Sequence, residues 1–193
     1  MPRGSDDSSV KTVVVITTGG TIASRDRGSG AVAGAGVGDM IAGFPLDHVQ
    51  LRERALLQSG SYLFGHRELR WIAEAVAEET SRASVDGVVI THGTDTMEET
   101  AFLLDLVHVS SKPVVLTGAQ RAADQLDTDG PRNLADAVTV AASERVRDCG
   151  ALVVFAGLVY SPQRTRKHHT VAAAPYRAGD SGPWGGSRRA GSG

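Results

Sequence analysis

Cysteine is nearly absent from this chain: Cys149 stands alone, so no disulfide framework can be built within it. Lysine is almost as scarce. Lys11, Lys112 and Lys167 are the three lysines, and arginine carries nearly all the positive charge. Neither sign of charge is in excess, the formal net charge being −2. That balance gives no electrostatic reason to expect nucleic acid or an anionic membrane surface as partner. The densest basic clusters, Arg164-Thr165-Arg166-Lys167 and Arg188-Arg189, are short and read as solvated surface. No apolar stretch approaches the roughly 20 residues that a membrane span requires. The opening Met1–Ser9 has no apolar h-region of a secretory signal, so cytoplasmic residence is expected. What is present is 193 residues, 41% of them hydrophobic, the composition of a globular domain with a real core.

Two runs dominate the pattern, Val13-Val14-Val15-Ile16-Thr17-Thr18-Gly19-Gly20-Thr21 and Val88-Val89-Ile90-Thr91-His92-Gly93-Thr94-Asp95. Each is a β-branched stretch that ends in glycine, with a hydroxyl residue following at once. Such stretches read as buried parallel strands, and in open α/β sheets ligands bind outside the carboxyl ends of the strands. Strands are expected at Thr12–Thr18, Arg54–Gln58, Val85–Thr91, Lys112–Thr117 and Gly150–Phe155. Helices are expected at His66–Thr80, Asp95–His108 and Asn133–Val146. Their apolar stripes are Leu69, Ile72, Ala73 and Val76, then Ala101, Leu103, Leu104 and Val107, then Leu134, Ala137, Val138 and Ala141. This alternation predicts an α/β fold, an open, mostly parallel sheet with helices on both faces. The Gly/Ala/Ser-rich stretch Arg25–Gly38 reads either as a mobile active-site lid or as a surface insertion. From Ala178 onward the composition is that of a linker, and no internal repeat is visible.

Four positions carry candidate chemistry. A threonine hydroxyl such as that of Thr21 is a weak nucleophile unless a base removes its proton, and Gly19 and Gly20 leave backbone N–H groups free to face a developing oxyanion. The same turn also reads as a phosphate cradle or a plain strand end, although the full dinucleotide pattern is missing. Thr96 and Glu99 fit a helix capping box, which leaves Gly93-Thr94-Asp95 unaccounted for. A carboxylate at a strand end suits the grip of a substrate ammonium. Lys167 can become a base if desolvated, as arginine cannot, with a surface lysine as the alternative. His168-His169 are adjacent and lack accompanying cysteines or clustered carboxylates, so neither metal nor cofactor is expected. His92 reads as packed or orienting.

Together these pieces resemble the bacterial-type L-asparaginase (asparaginase/glutaminase amidohydrolase) family. The segments that carry the likeness are Thr18–Ala23, Ile90–Thr100, Lys112–Arg121 and Asp129–Leu134, which together span most of the chain. The resemblance implies hydrolysis of L-asparagine to L-aspartate and ammonia through a threonyl acyl-enzyme. Thr21 matches the nucleophile, and Thr94, Asp95 and Lys167 match the family's second threonine, aspartate and lysine. Neutral Lys167 would draw a proton through Thr94, while Asp95 orients the lysine and holds the substrate's α-ammonium. Gly20 and Gly93 belong to the expected binding surface. Ser61 matches the serine that binds the α-carboxylate, and Ala119 the residue whose carbonyl contacts the substrate amide.

The chain departs from the family in several places. No tyrosine occurs within Arg25–Gly38, Tyr62 follows the binding serine, and Trp184–Arg189 does not continue the family pattern. Residues 1–177 are expected to form the N-terminal catalytic domain and 178–193 a Gly/Ser/Arg-rich tail, with the family's smaller C-terminal domain absent. In the family that domain of a neighbouring subunit completes each site, so the intact member is expected to be a homo-oligomer acting on a small molecule, asparagine or possibly glutamine. The competing expectation is a truncated, catalytically dead domain that binds amino acids.

Overall fold

In β1 (Lys11–Thr17) side chains alternate between the two faces of the strand, Val13 and Val15 on one and Val14 and Ile16 on the other. All four are at most 1% exposed, so the strand must be covered from both sides. The computed structural model describes residues 10–19, 24–25, 32–33 and 36–178. After β1 come a short antiparallel pair, β2 (Ser24–Arg25) and β3 (Val32–Ala33), and one helical turn, α1 (Val37–Met40). There follow β4 (Val49–Ala55), α2 (His66–Ser81), β5 (Gly87–Thr91), α3 (Met97–Val107), β6 (Val114–Thr117), α4 (Gly130–Ala141) and β7 (Ala151–Phe155). The last described elements are β8 (Leu158–Tyr160), β9 (Thr165–Lys167) and β10 (Tyr176–Ala178).

Six strands form one sheet in the order β4-β1-β5-β6-β7-β8, parallel except for β8. Val14, Ile16, Val88, Ile90 and Leu116 meet Ile72, Val76, Ala101 and Leu104 of α2 and α3 on one face. Val13, Val15, Val89 and Val115 meet Val37 of α1 and Leu134, Ala137 and Val138 of α4 on the other. The fold is therefore the expected α/β sandwich. From β1 the chain first adds β4 on one side and then β5 on the other, so the order reverses between β1 and β5. Such a switch point opens a crevice at the strands' carboxyl ends.

Several expectations need correction. The second strand is Val49–Ala55, not Arg54–Gln58; it is a sheet edge, and its Arg52, Glu53 and Arg54 disguise it by giving it the charge that edge strands tolerate. The third helix begins at Gly130, because Pro131 fits a first turn that lacks its hydrogen bonds anyway. It ends at Ala141, and Glu144–Val146 is a separate 3₁₀ turn whose Arg145 N–H is taken by the Ser143 hydroxyl. On α3 the buried face runs through Met97, Thr100, Ala101, Leu104 and Asp105, which leaves Val107 51% exposed instead of in the core. Within Arg25–Gly38 the described residues form the β2–β3 pair and the start of α1; the rest of that stretch lies outside the described residues.

Two buried features make the fold sensitive to small changes. A Cβ on Gly87 would stand 2.1 Å from the Ala141 carbonyl oxygen, so α4 is seated directly on the β5 backbone. His92, fully buried just beyond β5, packs edge-on against Phe64. Its Nδ1 lies 2.8 Å from the Gly93 carbonyl, which can only accept, so Nδ1 carries the proton and Nε2 faces the Thr100 hydroxyl at 3.0 Å. Burial lowers the imidazole pKa from its ordinary 6.5 to about 4.

Gly87→Ala is expected to destabilise the fold by about 1–3 kcal/mol in denaturant titrations, since helix and strand must separate to admit the methyl group. Stability should also fall with acid. The unfolded His92 binds a proton near its ordinary pKa while the folded ring refuses it, so the unfolding free energy drops as pH falls from about 6 to about 5, by on the order of 1 kcal/mol. His92→Gln should flatten that slope; an unchanged slope would show that another group sets it.

Candidate active site

The carboxyl ends of β4, β1, β5 and β6 lie side by side, Ala55 with Thr17, Thr17 with Thr91, and Thr91 with Thr117. The loops leaving these ends carry most of the residues singled out from the sequence. Thr18 continues β1 and bonds across the switch point, its N–H and hydroxyl both donating to the Thr91 carbonyl at 3.2 and 2.8 Å. Gly19 then adopts φ +93°, a conformation that favours glycine. A Cβ there would also lie 2.6 Å from the Ser59 nitrogen. The first glycine turn is thus locked against the chain that follows β4. Gly20 and Thr21, the next two residues, lie outside the described residues.

Ser61 opens a 3₁₀ turn, Ser61–Leu63, and is 1% exposed. Its hydroxyl has no hydrogen-bond partner among the described residues. A buried polar group left in that state is costly unless something supplies a partner. The hydroxyl lies against Gly93, where an added Cβ would come within 2.5 Å of it. The loops after β4 and β5 are further joined by Thr96, whose hydroxyl donates to the Ser61 carbonyl at 3.0 Å. That bond corrects the capping-box expectation: Thr96 stands at the N-cap of α3 but makes no side-chain cap bond.

Thr94 is engaged through both its side chain and its backbone. Its hydroxyl accepts from Lys167 Nζ at 2.7 Å and donates to Gln120 Oε1 at 3.0 Å. Its main-chain carbonyl accepts from the buried Tyr176 hydroxyl at 2.9 Å. Lys167 Nζ donates also to Asp95 Oδ1 at 2.9 Å. The two ends of that ion pair differ in environment, the lysine side chain being 13% exposed and the aspartate 58%. Asp95 therefore keeps carboxylate surface open to a second cation.

Lys167 reaches this point from outside the sheet. It ends β9, which pairs antiparallel with β10, and Tyr176 stands directly opposite it. Facing residues of an antiparallel pair project to the same side, and both of these grip Thr94. Glu98 on α3 anchors the ribbon by accepting the Lys167 N–H and pairing with Arg166 at 3.8 Å. Tyr176 packs edge-on against Phe155, and burial together with Glu98, Asp95 and Glu99 pushes its phenol pKa well above the ordinary value.

Ala119 is buried just after β6, followed by Gln120, whose N–H donates to both carboxylate oxygens of Asp129. Asn133 ties the same corner together, donating to the Gly118 carbonyl and to Asp129 and accepting from the Ala156 N–H. Gln120, Tyr176, Asp129 and Asn133 did not emerge as site residues from the sequence. Asp129, Asn133 and Gln120 lie in segments that carry the family likeness, but nothing local gives them or Tyr176 a role. His168 and His169 are exposed, and among the described residues no group of three or more metal-ligating side chains occurs. No described helix is long and apolar enough to cross a membrane.

Comparison with known proteins bears on the family and the fold. Residues 12–191 match the asparaginase family model described as "Asparaginase, N-terminal". The chain is 36% identical over 191 residues to L-asparaginase 2-3 of Saccharomyces cerevisiae, covering 93% of this chain and 51% of the yeast protein. It is 34% identical over 180 residues to a glutaminase-asparaginase of Pseudomonas fluorescens biotype A, covering 90% and 49%. The crystal structure of a probable cytoplasmic L-asparaginase from Campylobacter jejuni aligns with TM-score 0.81 at 31% identity, covering 90% of this chain and 54% of that one. The chain spans about half the length of the curated relatives it matches. By its family match, its sheet and the likeness of its backbone to a solved relative, the chain belongs to the asparaginase family.

Proposed function

We propose that this chain carries the catalytic machinery of an L-asparaginase-type amidohydrolase, converting L-asparagine to L-aspartate and ammonia through an ester on Thr21. The observation that carries the reading is the contact of one lysine amine with both Thr94 Oγ1 and Asp95 Oδ1 at a strand-order reversal. In this reading Thr21 Oγ attacks the side-chain amide carbon, and its proton leaves by way of Thr94 towards a neutral Lys167. Backbone N–H groups around Gly20 receive the oxyanion. The amide nitrogen takes that proton back from Lys167 as the C–N bond breaks and departs as ammonia. Water then opens the ester to aspartate, restoring the Thr21 hydroxyl. Asp95 uses its exposed oxygen on the α-ammonium, and the Ser61 hydroxyl, unpartnered among the described residues and with Gly93 beside it, takes the α-carboxylate. Ala119 contributes its carbonyl to the substrate amide. No metal or cofactor enters this scheme.

Residues 1–177 form the catalytic domain in this proposal, and 178–193 a tail. The homo-oligomer of the intact family member, and a cytoplasmic location like that of the Campylobacter jejuni protein, belong to the same proposal. The glutaminase-asparaginase relative keeps glutamine as a second substrate to be assayed.

The test is ammonia release from asparagine. Thr21→Ala and Lys167→Met should each lower kcat/KM by roughly 10³-fold or more while the protein stays folded. Equal turnover by wild type and Thr21→Ala would end the proposal, and aspartate binding with no turnover by wild type would favour a domain that only binds amino acids. Ser61→Ala should raise KM roughly tenfold to a hundredfold with a smaller effect on kcat, the cost of losing a hydrogen bond to a charged group.

A further inference from the structure

Gln120 joins two regions of the fold through a single amide. Nε2 approaches the main-chain carbonyls of Ala172 at 3.2 Å, Thr170 at 3.3 Å and His169 at 3.5 Å, while Oε1 lies 3.0 Å from Thr94 Oγ1. Carbonyl oxygens only accept, so the amino end of the amide must face residues 169–172 and its oxygen must face Thr94. An amide oxygen has no proton to give, so the Thr94 hydroxyl is the donor between them. A hydroxyl carries one proton. With that proton committed to Gln120, Thr94 offers Lys167 lone pairs alone, and the 2.7 Å contact is a donation from the ammonium.

The geometry points to Gln120 as a positioning residue that sets the direction of the Thr94–Lys167 hydrogen bond, itself held by residues 169–172. It keeps the pair in a resting polarity, with Lys167 giving and Thr94 taking. For Lys167 to receive a proton through Thr94, Nζ must first release one to solvent and the Thr94 O–H must turn from Oε1 to Nζ. Gln120 opposes that turn by one hydrogen bond. Asp95 favours the same resting state from the other side of Nζ, and a substitution at Gln120 leaves that contact in place. The kinetic consequence rests on the amidohydrolase reading; the polarity itself does not.

Neutron diffraction from the perdeuterated protein reads the polarity directly. The expected result is the Thr94 deuterium on the line to Gln120 Oε1 and three deuterons on Lys167 Nζ. A deuterium between Thr94 and Lys167 on the Thr94 oxygen would overturn the assignment whether or not the protein consumes asparagine. In kinetics, Gln120→Met keeps the reach of the side chain and offers only a weak sulfur acceptor. Its kcat for asparagine at neutral pH should rise roughly threefold to tenfold, the weight of one neutral hydrogen bond. KM should stay within about twofold, since no substrate contact is removed. A purely structural role would not raise kcat, so an unchanged or lowered value overturns the role assigned to Gln120. A wild type that releases no ammonia yet shows the Gln120-directed deuterium would count against the amidohydrolase reading alone and uphold this one.

Discussion

The parallel pairing of β1 with β5, in register from Val13 and Gly87 to Thr17 and Thr91, makes one sheet edge out of two segments more than seventy residues apart. Because β4 lies on the far side of β1 and β6 on the far side of β5, this pairing is also where the strand order reverses. The loops leaving the two strands must diverge there, and the space between them is lined by backbone. Thr18 holds the edge closed below by spending both its donors on the Thr91 carbonyl. Slip the register by one residue and the buried valines of β1 would exchange faces, while Thr18 would no longer meet the Thr91 carbonyl.

Close approach is the second theme of that edge. Gly19 lies against Ser59, Gly93 against Ser61, and Gly118 against the His92 carbonyl, each at a distance that a side chain could not occupy. The glycines let three loops press together, so that polar groups from separate strands share one small volume. The arrangement leaves Asp95 largely open and Lys167 mostly enclosed, so solvent reaches the carboxylate end of the ion pair far more than the amine end.

Much of this was legible in the sequence for definite reasons. β1, β5, β6 and β7 are apolar on both faces and announce themselves, and the two threonine motifs follow from the strands they terminate. β4 was misplaced because charged residues at a sheet edge hide a strand, and β8, β9 and β10 were not expected because three-residue strands have no period to read. Thr94 and Asp95 both meet Lys167, Ser61 lies against Gly93, and Ala119 follows β6, while Gly20 and Thr21 fall outside the described residues. Gln120 and Tyr176 have no role legible in the sequence because their partner, Thr94, is 26 and 82 residues away. Only the folded chain makes neighbours of them.

The ribbon of β9 and β10 has a consequence for how such a protein is built. Its two strands form a ladder with each other and none with the six-stranded sheet, and an isolated two-stranded pair is barely stable in water. What keeps it in place is the Tyr176 ring against Phe155, the Tyr176 hydroxyl on Thr94, and Glu98 on the Lys167 backbone. The amine therefore arrives as a docked accessory to a framework that is complete without it. A mutation can loosen the clasp and displace Lys167 while the scaffold beneath stays whole.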